Sequence, residues 1–378
     1  MKNILVVDDV MVNRMLVKKI LLNALEDINI LEAEDGFKAM KIIAQNDISV
    51  VILDVMMPDK DGIEVLEEIK TSPKYKNISV IMCSAIHDIE KVKKALSLGA
   101  MDYFTKPLTQ EQIAIRLPLK VRNALESYQQ KRELIQFYEH IKEEMQLAEE
   151  LQKSMIAEYL NFESITMYGK YIPCEDIGGD FYICKQLQGK VWFMIADIVG
   201  HGIAAAMIST MLNVIFSRSI QIHKTPGAVL ENINDVLFEV FNGSRYGIIS
   251  AFVGCINEDT LAYSNAGHPY PILYRETLES VEEISINGFL LGMFENIKYE
   301  TLNTRIGSGD TVVLYTDGII GKENEYVNCE SVHTFCIKHK QYFADNIQAL
   351  IKEMIPFFQN QNGGKYIDDV AVMIIKKT

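Results

Sequence analysis

The chain has 378 residues, 48% of them hydrophobic and 23% charged, which is the length of two or three domains and the composition of a soluble globular protein. The net charge of −14 leaves no excess of Lys and Arg to displace counterions, which argues against general nucleic-acid binding and suits a protein that holds cations. The opening Met1-Lys2-Asn3 and short ILVV run do not form a signal peptide. No apolar run is expected to approach the roughly 20 residues that cross a bilayer, so a cytoplasmic protein without membrane contact is predicted. Cys83, Cys174, Cys184, Cys255, Cys329 and Cys336 form no CxxC pair, so neither a zinc site nor a disulfide framework is expected.

Residues 1–122 alternate short apolar runs (4–7, 28–33, 50–53, 79–83 and 101–105) with amphipathic stretches such as Val12, Leu16, Ile20 and Leu21, then Phe37, Met40 and Ile43. Apolar strands separated by helices predict a parallel sheet covered on both faces, with ligands at the carboxyl ends of its strands. Asp8, Asp9, Asp54 and Ser84 stand where those runs stop. Three carboxylates at neighbouring strand ends call for a hard divalent cation such as Mg²⁺. An aspartate beside such an ion can attack a phosphoryl group and become an acyl phosphate, whose charge a lysine neutralises and a hydroxyl hydrogen-bonds. Lys106, before Pro107, and Ser84 are placed for those tasks.

Residues 123–158 lack Gly and Pro. Leu125, Tyr128, Ile135, Tyr138, Ile141, Met145, Ala148, Leu151 and Met155 form a helical stripe interrupted around Arg132. A helical connector is predicted, paired with a second copy as a short coiled coil; the alternative is packing on a neighbouring domain.

Residues 159–378 hold short apolar runs divided by Gly-containing turns, with helix-like stretches near 203–218, 226–241 and 345–359, which predicts an α+β sandwich. The Met-rich segment 204–211 and Trp192 are assigned to the core. Asp180, Asp197, Asp317 and Asp368 each lie at the end of an apolar run. One such Asp is commonly a turn residue, but four converging would make a two-metal site for in-line phosphoryl displacement. GGDFY alone suggests a diguanylate cyclase, but the Glu-Phe that should follow is missing.

Two resemblances emerge from these motifs. Residues 1–122, through Asp8-Asp9, Asp54, Ser84, Tyr103 and Lys106-Pro107, resemble the receiver domain of two-component response regulators, an α/β fold with a five-stranded parallel doubly wound sheet. The resemblance implies phosphotransfer from a sensor histidine kinase to Asp54, Mg²⁺ on Asp8, Asp9, Asp54 and the Met56 carbonyl, and a coupled Ser84–Tyr103 switch. The order GGDFY, ADIVGHG, NAGHP, YTDG and DDVAV across 159–378 resembles the PPM-type serine/threonine phosphatases, closest to the SpoIIE/RsbU-like subgroup. ELQKSM (150–155) resembles the helix before that domain, without its Leu-Leu-Pro ending.

The second resemblance implies two Mn²⁺ or Mg²⁺ ions. Asp197 would bridge them, Asp180 and the Ile198 carbonyl would complete one site, and Asp317 and Asp368 would hold the other. It also implies a phosphorylated STAS-type substrate, an anti-sigma-factor antagonist. Ile183, Gly321 and Ala371 depart from the family pattern. They motivate a rival reading, a phosphorylation-controlled adaptor with a weak or inactive phosphatase-like domain. His201 is weighed as a general acid against a structural role in its turn, and His268 is read as structural.

Overall fold

The computed structural model describes residues 2–85, 89–106, 112–200, 202–242, 244, 247–320, 331–361, 364, 366 and 368–378, with the side chains of 84, 85, 89, 112, 113, 344 and 345 left aside. The chain divides into two units, Met1–Ile141 and Lys142–Thr378.

The first unit runs β1 (Lys2–Val7), α1 (Met11–Ala24), β2 (Ile28–Ala33), α2 (Gly36–Gln45), β3 (Ile48–Asp54), α3 (Gly62–Thr71), β4 (Ser79–Ala85), α4 (Ile89–Ser97), β5 (Asp102–Lys106) and the start of α5 (Leu117–Met155). Its strands form one sheet in the order β2-β1-β3-β4-β5, and every pairing is parallel. The alternation of β1 explains its two covers. Ile4 and Val6 join a cluster with Val17 and Leu21 of α1 and Leu117, Val121 and Leu125 of α5. Leu5 and Val7 join Ala39 and Ile43 of α2 and Leu66 and Ile69 of α3 on the opposite face. Each such Val, Leu or Ile side chain, fully buried, contributes about 1.5–3 kcal/mol.

The helical stripe expected for α1 needs correction. Val12 is 71% and Leu16 43% exposed, and the buried residues are Val17 and Leu21. The spacing identified a helix but selected the wrong side of it at its N-terminal end. Phe37 of α2 is likewise exposed, whereas Ile43 is buried.

α5 is a single 39-residue helix, and residues 131–144 along it are exposed, Leu134, Phe137 and Tyr138 among them.

The second unit continues from the end of α5 with β6 (Tyr159–Asn161), β7 (Ile165–Ile172), β8 (Phe181–Leu187), β9 (Lys190–Ile198), α6 (Ile203–Ile222), α7 (Pro226–Phe241), β10 (Ile249–Asn257), β11 (Thr260–Ala266), β12 (Ile272–Arg275), β13 (Ser280–Glu283), β14 (Leu302–Arg305), β15 (Thr311–Tyr315), α8 (Val332–Lys338), α9 (Gln341–Asp345), α10 (Ile347–Gln361) and β16 (Val370–Lys377). Two antiparallel sheets result, β14-β11-β10-β9-β8 and β13-β12-β15-β16-β7-β6. α6 and α7 pack on the first, and α8 and α10 on the second. Val191 through Ala196 of β9 are all buried, as a strand between a helix layer and a second sheet requires, and Trp192 is among them.

α6 corrects two expectations. It is 20 residues long with a mean hydropathy of 1.5 in its most apolar window, enough by length and composition to cross a membrane. Here Ala205, Ile208, Leu212 and Phe216 belong to the main core of the unit, so α6 is partly a core helix. Met207, assigned to the core with its neighbours, is 69% exposed.

Candidate functional site

Two groups of carboxylates stand at strand ends, one in each unit. In the first, Asp8 follows β1 and Asp54 closes β3, the neighbouring strand, so parallel pairing alone sets the two side by side. Ligand oxygens of Asp8, Asp9 and Asp54 all lie within 4.8 Å of one another. Asp8 and Asp54 are buried, and Asp9 is exposed. Lys106, the last residue of β5, donates from Nζ to Asp8 Oδ2 and to Asp54 Oδ2, each at 2.6 Å. Asp8 also accepts from the Val10 amide at 2.9 Å and from Asn13 Nδ2 at 3.1 Å. Burial raises the Asp54 pKa, against the pull of the Lys106 ammonium.

The turn after Asp54 is built to hold it. Asp61 caps α3, accepting from the Ile63 and Glu64 amides, while Glu64 reaches back to the Asp61 amide. A capping box of this kind contributes about 1 kcal/mol. A Cβ at Gly62 would lie 2.0 Å from the Asp54 carbonyl oxygen, so only glycine lets α3 begin directly against the acceptor's backbone.

Met56 gives its amide to Asp54 Oδ1 at 3.4 Å. Tyr103 is 38% exposed, with Lys120 Nζ 5.8 Å from its ring centroid and donating to its carbonyl. Ser84 pairs with Thr105 in the sheet; its side chain and Pro107 lie outside what is described.

In the second group each sheet supplies two acids. Asp180 immediately precedes β8, and Asp197 is the penultimate residue of β9, with Phe181 paired to Ala196. Asp317 follows β15 by two residues, Asp368 precedes β16 by two, and Tyr315 pairs with Val372. The four are unequally covered: Asp180 is buried, Asp197 half-buried, and Asp317 and Asp368 exposed. They act on one another. Burial first, then the carboxylates of Asp317 and Asp368, push Asp197 to about 7, while a hydrogen bond with Asp180 opposes the rise. Burial and the facing Asp197 carboxylate hold Asp180 well above the usual range. Asp197 and Asp317 also line one cavity of about 520 Å³.

Three residues that the sequence reading passed over hold these acids. The Thr316 hydroxyl donates to Asp180 Oδ2 and accepts the Ala371 amide at 2.8 Å. At Ala371, one of the departures from the resembled pattern, the backbone makes this link. Asp369 is buried, and its carboxylate accepts from the Cys174 amide at 2.8 Å and the Gly179 amide at 2.6 Å. A Cβ at Gly178 would lie 2.1 Å from an Asp369 oxygen, which accounts for the first glycine of the pair before Asp180. Gln152, near the end of α5, is 6% exposed and donates from Nε2 to the Gly178 carbonyl at 2.7 Å and to Ser209 Oγ at 3.3 Å. The Asp-Asp doublet and the Gly-Gly pair were the available signals for Asp369; nothing local marked Gln152.

Ile183 is buried in β8, paired with Met194. His268 Nδ1 shares a hydrogen bond with Ser250 Oγ at 2.8 Å, and burial lowers its pKa to about 3, so the ring stays neutral. His201 and Gly321 lie outside the described residues. The Ile198 carbonyl lies 2.9 Å from the position a Cβ on Gly179 would take, so the two turns carrying Asp180 and Asp197 touch.

Comparison with known proteins identifies the families of both units. Residues 188–378, just over half of the chain, match the family described as Stage II sporulation protein E (SpoIIE), a span holding Asp197, Asp317 and Asp368 but beginning after Asp180. Residues 4–117 match the response regulator receiver domain. The phosphoserine phosphatase RsbU of Bacillus subtilis (strain 168) is 22% identical over 256 residues, 66% of this chain and 75% of that protein. The chemotaxis protein CheY of Halobacterium salinarum is 38% identical over 112 residues, 30% of this chain and 90% of that protein. Among solved structures, the SiaA-PP2C domain of Pseudomonas aeruginosa superposes with a TM-score of 0.54 at 15% identity, covering 64% of this chain and 98% of that domain, a likeness of fold. The chain belongs to the SpoIIE family of serine/threonine phosphatases and carries a response regulator receiver domain ahead of its phosphatase domain.

Proposed function

We propose that the chain is a two-component response regulator in which phosphorylation of Asp54 controls hydrolysis of a phosphoserine or phosphothreonine on another protein. What supports the catalytic half is that four acids stand at strand ends of two sheets, with Asp180 and Asp197 raised by burial and by their neighbours' carboxylates. Such a group is short of positive charge, and oxygen donors alone suit Mn²⁺ or Mg²⁺. Asp197, with Asp180, the Ile198 carbonyl, Asp317 and Asp368, would hold these ions. Bound there, the ions supply an activated water and neutralise the phosphate charge. Thr316 and Asp369 hold the acids at their stations while water replaces the seryl oxygen on phosphorus, which leaves with a proton.

In the receiver, Asp8, Asp9, Asp54 and the Met56 carbonyl are assigned to Mg²⁺. A sensor histidine kinase is the phosphodonor that a receiver implies. The phosphoryl group on Asp54 would claim Lys106 and Ser84, and Tyr103 would follow. The exposed stripe on α5 is assigned to a second copy of the chain. The substrate fitting the family is a phosphorylated STAS-type anti-sigma-factor antagonist, in a cytoplasmic setting.

The test uses the full chain with Mn²⁺ and a phosphoserine STAS protein or p-nitrophenyl phosphate, with and without beryllofluoride. Metal-dependent phosphate release that changes with beryllofluoride supports the reading. Absence of release refutes the catalytic half, and release indifferent to beryllofluoride refutes the control by Asp54.

A further inference from the structure

The cavity beside the second group of acids is larger than a phosphoseryl side chain needs. At about 520 Å³ it falls within the ordinary range of ligand sites, ~300–1,000 Å³. Asp197 and Asp317 stand at one side of it. Away from them it is lined by Pro269, Tyr270, Ile286 and Leu290 together with uncharged polar groups such as Ser250 and Asn287, and among the described residues lining it there is no Lys or Arg.

This wall is built firmly although it contains no regular element. Leu291 exchanges both backbone hydrogen bonds with Ile249 of β10, at 2.9 and 3.2 Å. The side-chain amide of Asn265, itself 2% exposed, donates to the Ile286 carbonyl at 3.1 Å and to the His268 carbonyl at 2.9 Å. The fully buried Asn234 of α7 accepts the Gly292 amide at 2.9 Å. Tyr270 is tied across to Asn287 by its hydroxyl. Segment 286–292 is therefore pinned to β10, β11 and α7, and it presents an apolar surface whose shape is set before anything binds.

We propose that this cavity is the specificity pocket for the protein substrate, taking uncharged apolar residues that flank the phosphorylated serine or threonine. The inference rests on the phosphatase reading above and adds to it the chemistry of the sequence hydrolysed. With phosphorus at the acids, the neighbouring substrate residues must enter the adjoining space. An acidic flank would lose its hydration against this surface, where the described lining residues include no Lys or Arg, a cost an apolar side chain escapes. A basic flank would bury its charge against a wall of Ile286, Leu290 and Pro269.

The test measures kcat/KM of the full chain with Mn²⁺ on three synthetic phosphoserine peptides of equal length, flanked on both sides by leucine, aspartate or lysine, with p-nitrophenyl phosphate alongside. The leucine-flanked peptide is expected to exceed both others by about tenfold or more. Leu290→Lys should shift the ratio toward the aspartate-flanked peptide by a similar factor, and Tyr270→Ala should shrink the preference for leucine. Hydrolysis of p-nitrophenyl phosphate with equal rates on the three peptides, or a charged flank preferred, overturns the pocket alone. A preference left unchanged in both variants does the same. Failure to hydrolyse even p-nitrophenyl phosphate overturns the phosphatase reading and the pocket with it.

Discussion

The two acid clusters balance their charge differently. In the receiver, Lys106 bonds both Asp8 and Asp54, so a cation of the chain's own already sits among the carboxylates. In the phosphatase domain, the leading influences on Asp180 and Asp197 are burial and further carboxylates. The receiver cluster can keep its shape whether or not an external ion is bound, and a phosphoryl group arriving on Asp54 competes for a lysine already in place. In the phosphatase cluster, protons or metal ease the repulsion at Asp180 and Asp197, so its occupancy responds to whatever moves the sheet ends that carry it.

The sharpest break of this contrast is removal of the proposed bridging acid. Asp197→Ala should lower Mn²⁺-dependent hydrolysis of p-nitrophenyl phosphate by on the order of 10³-fold, the rate equivalent of several kcal/mol of lost charge stabilisation. Phosphorylation of Asp54 by acetyl phosphate should be untouched, as phosphate-affinity electrophoresis would show. Next comes Thr316→Val, which removes the hydroxyl bonded to Asp180 and to the Ala371 amide. Mn²⁺ affinity should fall about 10–100-fold, the usual cost of a lost outer partner, with most of the rate recovered at saturating metal.

Lys106→Met probes the other cluster. It strands Asp8 and Asp54, and breaking a fully buried pair costs about 3–5 kcal/mol. The Lys106 side chain is 26% exposed, so about 1–3 kcal/mol is expected after allowance for solvent. The loss should appear as a lower melting temperature in Mg²⁺-free buffer and shrink when Mg²⁺ is added.

The smallest expected effect is on pH. Asp197 is held near 7 in the folded, metal-free protein, against about 3.9 for an unfolded aspartate. The folded state binds this proton more tightly, so the contribution to stability is full below about pH 4 and is lost as pH rises through 7. Metal-free protein should therefore melt lower at pH 8 than at pH 5. Added Mn²⁺ should reverse the order, because metal binds the deprotonated acids. A metal-free protein whose melting rises across that window would contradict the contrast.

What was legible in the sequence follows the reach of each signal. Continuous apolar runs ending in an acid marked β1, β3, β9 and β15, because a strand covered on both faces must be apolar throughout. Helical spacing found α1 and α6 but misjudged parts of their buried faces. Val12 and Met207 fit an apolar period and yet face solvent, since periodicity does not say how far a neighbouring layer extends. The supports of the phosphatase acids were hidden for another reason. Thr316 and Asp180 are 136 residues apart, Asp369 and Gly179 190 apart, and neither pair leaves a local pattern.

Gln152 has a practical consequence for anyone dividing this protein. The end of α5 contributes Gln152, bonded to the Gly178 carbonyl and Ser209, and Ile156, the residue just after it, is buried in the main core of the second unit. A phosphatase fragment begun at 159, where the sheet-forming sequence starts, would leave the Gly178 carbonyl without that donor and a hole where Ile156 packs. Its glycine turn would be loosened next to Asp180. Low activity in such a fragment would then reflect the cut, and would be mistaken for activation lost. A fragment that keeps the last two or three turns of α5 measures the enzyme itself.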